Sequence, residues 1–334
     1  MKSLFVNNGT RIPEVFGADT IAALTAEAGL DPKVYTKADI LANPALSADA
    51  DYLFSTWGMP KFTEDEIARC FPRLKAVFYA AGTVQAFARP FLNRGIRIFS
   101  AWAANAVPVA EYTIAQILLA NTGYFQACAR FSQGLAHHRS AQQHAASFPG
   151  NYGCKVGLIG VGMIGAMVAE RLKAYHLDVL AFDPFLSDAR AAELGVRKVP
   201  LEVLFAECQT ISNHLANNPQ TVGMLNRICF DRMKPNAVFL NTGRGAQVVE
   251  SDLCRALTEQ PERTAVLDVT FPEPPEDHSP LYTLPNVFLT PHIAGSKGDE
   301  VRRMSEYMLE QFRNITAGRP VRWEVDLNML ETMA

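Results

Sequence analysis

The chain has 334 residues, 49% of them apolar, which is more than one hydrophobic core usually supports and predicts two domains. Its formal net charge of −3 provides no general positive field to attract nucleic acid or an anionic membrane surface. Composition therefore argues against both of those partners.

The N-terminal part of the chain alternates short β-rich runs with helical runs, a pattern typical of an α/β domain with parallel strands. A first helix should end near Gly29. A second should begin at Thr63, where Thr63-Glu-Asp-Glu66 forms a capping box, and stop at Phe71-Pro72. Strands are predicted at residues 4–6, 52–54, 76–79 and 97–99.

A long apolar helix should follow Asn105, from about residue 107 to 123, and it carries more hydrophobic surface than one face needs. We expect it to be buried between domains or subunits. Residues 126–152 have weak periodicity and predict a helical excursion or a lid-like loop. No acidic residue occurs between Glu111 and Glu170, although several basic residues do, so this segment is either a solvated or subunit-facing surface or a positive approach to an anion pocket.

Residues 155–165 have the pattern of a buried strand, a glycine turn and the start of a helix. Gly160 permits a tight turn, Gly162 lets the backbone approach a phosphate, and Gly165 lets the helix pack on the sheet. A second apolar strand ends in an acid roughly 20 residues later, which suits a ribose and repels a 2′-phosphate. The predicted cofactor is NAD(H), and its binding residues here are Gly160, Gly162, Met163, Ile164, Gly165 and Asp183.

Further strands are predicted at 179–182, 210–213, 237–241, 265–268 and 287–289, separated by helical segments. They indicate an α/β fold, a doubly wound parallel Rossmann sheet spanning residues 104–293 as the dinucleotide-binding domain. Residues 1–103 and 294–334 should form a second, smaller, flavodoxin-like α/β substrate domain that is discontinuous in sequence. The chain would then cross between domains twice, with a cleft between them. The final helix is predicted from about residue 298 to 317, before a short tail.

Open α/β sheets bind ligands beyond the carboxyl ends of their strands, and three chemically suitable residues follow successive predicted strands. They are Arg244 between two glycines, Glu273 between prolines, and His292 in Thr290-Pro-His-Ile-Ala-Gly295. Each alone is more often structural. Together they supply a cation for a substrate carboxylate, a proton donor near neutrality and a carboxylate to orient and charge the imidazole, as reduction of a carbonyl by hydride requires.

Between about residues 79 and 296 the chain resembles the D-isomer-specific 2-hydroxyacid dehydrogenase family. The matching motifs, in order, are Ala81-Gly82, Val109-Ala-Glu111, the glycine turn, Phe182-Asp-Pro184, His214-Leu215, Asn241-Thr-Gly-Arg-Gly245, Leu267-Asp-Val269, Glu273-Pro274 and Thr290-Pro-His-Ile-Ala-Gly295.

The resemblance implies a role for each matched residue. Arg244 would grip the substrate carboxylate and keto oxygen, His292 would be the acid/base, and Glu273 would be its partner. Ala81 and Gly82 would offer the backbone to the carboxylate. The resemblance places Asp268 on the nicotinamide carboxamide, and His214 and Thr242 in the cofactor site.

Outside these motifs, Trp57 and Met59 follow a strand and either close an apolar pocket over the substrate's tail or pack in the core. Two positions depart from the family pattern. Val84 stands where Asp is common and is expected to alter the pocket wall, and Ala216 stands where Pro is common and is expected to loosen the adenine-side loop.

The sequence thus predicts an NAD-dependent oxidoreductase of small 2-oxo or D-2-hydroxy acids, such as glyoxylate or hydroxypyruvate, that forms a homodimer. One alternative is formate or phosphite oxidation on the same fold, although the formate branch carries Gln where this chain has Glu273. The other is a dinucleotide-sensing protein similar to the transcriptional corepressors that resemble this family.

The cysteines predict a reduced, cytoplasmic protein, because six of them are scattered without a C-x-x-C pair. The N-terminus also lacks the apolar core of a signal peptide. No metal site is predicted, since the seven histidines have no ligand spacing.

Overall fold

The computed structural model describes residues 1–331 and divides into two compact units. Unit 1 comprises Met1–Ala106 together with the chain from Ser296 onward, and unit 2 comprises Val107–Gly295. Unit 1 is therefore discontinuous in sequence, whereas unit 2 is one continuous segment.

Both units are α/β. The described strands are β1 (Ser3–Val6), β2 (Leu30–Tyr35), β3 (Tyr52–Ser55), β4 (Ala76–Tyr79), β5 (Arg97–Ser100), β6 (Tyr152–Ile159), β7 (His176–Phe182), β8 (Arg197–Lys198), β9 (Thr210–Asn213), β10 (Val238–Asn241), β11 (Thr264–Leu267), β12 (Val287–Leu289) and β13 (Glu324–Val325). The α-helices are α1 (Ile12–Ala28), α2 (Lys37–Ala42), α3 (Glu64–Cys70), α4 (Ala88–Asn93), α5 (Trp102–Asn121), α6 (Tyr124–Phe131), α7 (His138–Ala145), α8 (Met163–Leu172), α9 (Asp188–Leu194), α10 (Leu201–Glu207), α11 (Arg227–Phe230), α12 (Glu250–Glu259) and α13 (Arg302–Thr316).

The unit 1 sheet has the strand order β2-β1-β3-β4-β5-β13 and is parallel except for β13. This is the flavodoxin-like order with one antiparallel edge strand added. Consecutive strand residues alternate between two apolar clusters, one on each face: Leu53 belongs to one cluster and Phe54 to the other. The sheet is therefore buried on both faces, as parallel sheets require.

The unit 2 sheet is entirely parallel, with the order β8-β7-β6-β9-β10-β11-β12. The order reverses between β6 and β9, which makes this a doubly wound Rossmann sheet with its switch point at the end of β6. The predicted fold class is thus confirmed for both units.

Helix ends follow the predicted local chemistry. The Thr63 hydroxyl accepts the Glu66 N–H at 3.2 Å, and the Glu66 carboxylate accepts the Thr63 N–H at 2.8 Å, so the capping box is confirmed. Gly29 ends α1 at a φ of +59°, a left-handed conformation that favours glycine. Residues 126–152 are largely helical, with α6 and α7.

The predicted start of the long apolar helix was wrong. Helix α5 begins at Trp102 and contains Pro108 in its interior. Its first residues include Ala103, Ala104 and Ala106, which are buried and are of the residue type that most favours a helix, so the helix starts earlier than expected. By length and composition alone α5 could cross a membrane, but 56% of its apolar window is buried inside the protein. That burial is what the core helix of a globular protein shows.

The C-terminal part differs from the expected helix followed by a short tail. Residues 298–301 form a 3₁₀ turn, so α13 begins at Arg302. Beyond it, β13 pairs antiparallel with β5, and the Glu324 carboxylate accepts two hydrogen bonds from the Arg97 guanidinium at 2.6 and 2.7 Å. These residues complete the edge of the unit 1 sheet.

Basic residues of the segment between Glu111 and Glu170 lie close to carboxylates elsewhere in unit 2. Arg130 and His144 lie 2.8 and 3.2 Å from the Glu262 carboxylate, and Lys155 binds Glu207 at 2.8 Å. The positive charges of Arg130 and Lys155 are thus paired within the unit, which favours the structural interpretation of the segment.

Candidate active site

The glycine turn lies at the switch point of unit 2. Gly160 has a φ of +83°, and a Cβ there would lie 2.9 Å from the His214 carbonyl, so both the conformation and the contact require glycine. A Cβ on Gly165 would collide with the Gly160 carbonyl oxygen. Gly162 immediately precedes α8 and has open space around its Cβ position. A helix amino end with this free approach can accommodate a pyrophosphate.

Asp183 follows β7 and is hydrogen-bonded to the glycine turn. Its Oδ2 accepts the Val161 N–H at 2.7 Å, and its Oδ1 accepts the Phe185 N–H at 2.8 Å. Met163 and Ile164 form the first turn of α8, where Met163 is exposed and Ile164 packs on the core. The structure therefore brings together the predicted cofactor residues of β6, α8 and β7.

Two further predicted cofactor residues, His214 and Thr242, are buried. His214 Nε2 lies 2.9 Å from the Ser212 hydroxyl, and burial lowers the pKa of His214 to about 4, which keeps the ring neutral at pH 7. The Thr242 hydroxyl lies 3.1 Å from the Thr113 hydroxyl of α5.

Arg244, Glu273 and His292 follow β10, β11 and β12, which are adjacent in the sheet and end level with one another. His292 Nδ1 lies 2.7 Å from Glu273 Oε1, and the two side chains remain 48% and 43% exposed. The pair is thus formed and still open to a ligand. Because Nδ1 is engaged by the carboxylate, Nε2 is the nitrogen available to exchange a proton.

The backbone of His292 is unusual, with a φ of +54°. Asp268, which is buried, holds it in place: its main-chain oxygen accepts the His292 N–H at 3.0 Å, and its carboxylate accepts the N–H groups of Ile293 and Ala294 at 2.8 and 2.9 Å. The carboxylate also accepts the Thr290 hydroxyl at 2.6 Å. Asp268 therefore fixes the loop that carries the imidazole.

Arg244 is half-buried, and its Nη1 donates to the Gly243 carbonyl at 2.8 Å. Burial lowers the pKa of the guanidinium, while the charge of Glu273 opposes that shift. A Cβ on Gly245 would collide with the Thr270 carbonyl, so glycine here lets the Arg244 loop pack against the loop that leads to Glu273. An arginine in this setting keeps its charge and can bind a carboxylate.

Sequence reasoning missed a cluster of three buried side-chain amides, Asn213, Asn241 and Gln247, which we call the amide unit. Asn213 Nδ2 donates to Asn241 Oδ1 at 3.0 Å and to Gln247 Oε1 at 2.6 Å. Asn213 and Asn241 are the last residues of β9 and β10, and Gln247 follows Arg244 by one turn. Asn213 and Asn241 stand at strand ends, which is a signal that could have indicated them, whereas Gln247 does not.

The predicted substrate residues of unit 1 lie beyond β3 and β4. Ala81 is buried and Gly82 is half-buried. Trp57 is half-buried, with the Arg11 guanidinium 4.4 Å from the centre of its ring, and it also packs on the apolar core. Met59 packs on the same apolar cluster of unit 1 as Trp57 does.

The two departures from the family pattern have different surroundings. Val84 is fully buried in an apolar cluster of unit 1, the cluster that Trp57 and Met59 pack against, and its expected effect on the pocket wall stays a prediction. The Ala216 carbonyl accepts the Thr221 hydroxyl at 2.7 Å, which ties down the loop expected to be loose.

Within residues 1–331, no group of three or more His, Cys, Asp or Glu side chains is placed to hold a metal ion. The six cysteines, all inside that range, are free, and five are buried. Burial raises the pKa of the Cys208 thiol to about 12, which makes it a poor nucleophile.

Curated proteins with known names are similar to this chain in sequence. The chain is 34% identical to D-3-phosphoglycerate dehydrogenase of Archaeoglobus fulgidus over 239 residues, covering 72% of this chain and 44% of that protein. It is 32% identical to the Methanocaldococcus jannaschii protein of the same name over 274 residues, covering 81% and 50%. The chain therefore spans about half the length of these curated relatives.

Solved structures share the fold. The D-isomer specific 2-hydroxyacid dehydrogenase of Lactobacillus delbrueckii ssp. bulgaricus, in its NAD-complexed form, superposes with a TM-score of 0.78 at 21% identity, covering 98% of this chain and all of that one. Residues 117–294 match the family model described as D-isomer specific 2-hydroxyacid dehydrogenase, NAD binding domain. The chain belongs to this family, and unit 2 contains its NAD binding domain.

Proposed function

We propose that the chain is an oxidoreductase that interconverts small 2-oxo acids and D-2-hydroxy acids with NAD(H). The observation that carries the proposal is the 2.7 Å contact between His292 and Glu273, which follow the two strands next in order to β10, the strand that Arg244 follows. Bound NADH would supply the hydride. The glycine turn fits the cofactor, because its approach at Gly162 is open and Asp183 lies at the next strand end.

Each side chain has a distinct task in the proposed reaction. His292 donates a proton from Nε2 to the substrate oxygen during reduction and accepts it back during oxidation. Glu273 engages Nδ1 at 2.7 Å and so orients the ring with Nε2 free for the substrate. Arg244 presents a planar fork that matches a carboxylate with two parallel hydrogen bonds.

We propose that unit 1 contributes the substrate-binding backbone at Ala81 and Gly82, with Trp57 closing over the substrate's tail. Glyoxylate and hydroxypyruvate are the proposed substrates, since both are small. The curated relatives are named for D-3-phosphoglycerate, so the phosphorylated 2-oxo acid belongs in the same test.

Two further proposals concern the protein in the cell. A cytoplasmic location is supported by six free cysteines. A homodimer is supported by exposed apolar side chains of unit 2, among them Tyr124, Phe131 and Leu135.

The test is a panel of 2-oxo acids, including glyoxylate, hydroxypyruvate, pyruvate and phosphohydroxypyruvate, assayed by initial rates of NADH oxidation. His292→Ala serves as the control for adventitious turnover. We expect saturable reduction of at least one acid by the unaltered chain and its loss in the variant. Tight NADH binding without turnover of any acid would instead favour a dinucleotide-sensing protein, and oxidation of formate would favour that rival activity.

A further inference from the structure

We propose that Asn213 and Gln247 are positioning residues that set where Arg244 presents its guanidinium, relative to the loop that follows β9. The proposal rests on the proposed function in that it takes Arg244 as the carboxylate-binding group. Neither amide needs to touch a substrate, because both act through the backbone.

The backbone of Arg244 is held on both sides by the amide unit. Its N–H donates to Gln247 Oε1 at 3.3 Å, and its carbonyl accepts the Asn241 Nδ2–H at 3.2 Å. The preceding Gly243 N–H donates to Asn241 Oδ1 at 3.1 Å. A Cβ on Gly243 would lie only 3.1 Å from Asn213 Nδ2, so that amide packs directly on the loop.

The same amides also bind the loop after β9. The Leu215 N–H donates to Asn213 Oδ1 at 3.3 Å, and the Leu215 carbonyl accepts the Gln247 Nε2–H at 2.8 Å. Asn213 and Gln247 are bonded to each other at 2.6 Å, so the two loops share one buried bridge.

The position of the bridge has a geometric consequence. Leu215 follows His214, whose carbonyl contacts the glycine turn, while Arg244 is the proposed carboxylate ligand. The bridge therefore sets the distance between the cofactor side and the substrate side of the unit 2 strand ends. Because buried amides are costly to leave unpaired, the arrangement resists displacement.

The experiment compares Gln247→Met with Gln209→Met. Methionine keeps the unbranched shape and removes the hydrogen bonds. Gln209 is also a buried glutamine of unit 2, and its Nε2 donates to the Asn236 carbonyl at 2.7 Å, at the other end of β9. It therefore controls for the general cost of losing a buried amide.

The first measurements are KM for the 2-oxo acid, kcat and the Kd of NADH. Gln247→Met loses the hydrogen bonds of the side chain to Asn213, to the Arg244 N–H and to the Leu215 carbonyl, which should raise KM by about fivefold or more. The NADH Kd should stay within about twofold, and Gln209→Met should leave KM unchanged. Equal effects of the two variants on KM would overturn the proposal.

A second measurement does not depend on turnover. Hydrogen exchange of the segment 241–248 should become faster in Gln247→Met, because the Arg244 N–H loses its acceptor, and should be unaltered in Gln209→Met. If the unaltered chain reduced no 2-oxo acid, the proposed function would fail while exchange still decided whether Gln247 fixes the loop. Unchanged exchange in Gln247→Met would refute the positioning role.

If Gln247→Met does not fold, Asn213→Leu combined with Gln247→Met removes the bond between the two amides without leaving either amide unpaired. This double variant should still show faster exchange at 241–248 and a raised KM. Normal values of both would exclude the bridge as the positioning device.

Discussion

At the scale of single residues, His292 is constrained from two directions. Glu273 engages Nδ1, and Asp268 binds the main chain on both sides of the left-handed backbone at His292. A non-glycine residue with positive φ is uncommon, and such a conformation persists where surrounding contacts hold it. The imidazole is therefore presented by a fixed loop and oriented by a neighbouring carboxylate.

Replacing Glu273 with Ala tests its pairing with His292. The carboxylate oxygen lies 2.7 Å from Nδ1 and leaves Nε2 as the nitrogen that exchanges a proton with the substrate, so its removal should lower kcat at least about tenfold in both directions, while the NADH Kd changes little. Glu273→Gln, whose amide oxygen can still accept from Nδ1–H, should retain more activity than Glu273→Ala. His292→Ala should depress both directions, and normal turnover in Glu273→Ala would contradict the pairing.

Replacing Arg244 with Lys tests whether the planar guanidinium binds the substrate carboxylate. Lysine keeps the charge but cannot form two parallel hydrogen bonds, so kcat/KM for the 2-oxo acid should fall at least about tenfold, or about 1.4 kcal/mol. The NADH Kd, measured by fluorescence, should change little. Near-normal turnover would show that another residue holds the carboxylate.

His214 makes a prediction about stability rather than turnover. Its pKa is lowered from 6.5 to about 4, so the unfolded chain binds the proton more readily than the folded one between those values. The stability that neutral burial provides is present above pH 6.5 and is lost as the pH falls towards 4. At pH 5 this loss should be about 2 kcal/mol, and His214→Gln should lack it. Urea unfolding of both proteins at pH 7 and pH 5 gives the free energy of unfolding at each pH. An equal loss of that free energy in the two proteins between pH 7 and pH 5 would disprove the prediction.

At the scale of elements, the glycine turn predicts opposite outcomes for two similar substitutions. Gly162→Ala has open space and an ordinary φ of −71°, so the melting temperature should barely change, whereas the NADH Kd should rise because the methyl group obstructs the phosphate. Gly165→Ala collides with the Gly160 carbonyl and should destabilise the fold itself. Calorimetry and NADH titration separate the two effects, and unchanged NADH binding in Gly162→Ala would count against the pyrophosphate site.

Elements with strong local signals could be predicted from the sequence, and those that depend on distant partners could not. The capping box at Thr63 and the apolar strands β4, β9 and β12 are local and were predicted at their observed bounds. The edge strand β2 contains Asp31, Pro32 and Lys33, and no strand was predicted there. β13 has two residues and exists because it pairs with β5. Neither has the apolar alternation that marks a strand.

The same distinction between local signals and distant partners applies to the residues of the candidate site. The rule that ligands bind beyond the carboxyl ends of parallel strands selects Arg244, Glu273 and His292 from the sequence alone. In the structure, Glu273 and His292 are in direct contact. The amide unit could not be foreseen, because Asn213 and Gln247 are far apart in sequence and an isolated amide has no characteristic spacing. Its function as a unit depends on pairing across two loops.

At the scale of the whole molecule, the exposed apolar side chains near α6 predict self-association. Leu119, Tyr124, Phe131 and Leu135 are all exposed in a stretch without acidic residues. We expect a dimer at micromolar concentration by light scattering, and a monomer when Phe131→Asp and Leu135→Asp are combined. Ile228→Asp, an exposed apolar position on α11, is the matched control. A monomeric unaltered chain would overturn the prediction.

The discontinuity of unit 1 has a consequence for synthesis on the ribosome. Phe54 and Phe78 of its sheet pack against Phe312 of α13, which is translated only after the whole of unit 2. We therefore expect unit 2 to complete its core during translation before the sheet of unit 1 is covered by α13. Until then Phe54 and Phe78 would lack their partner Phe312, so the usual order, in which the N-terminal domain folds first, should be reversed.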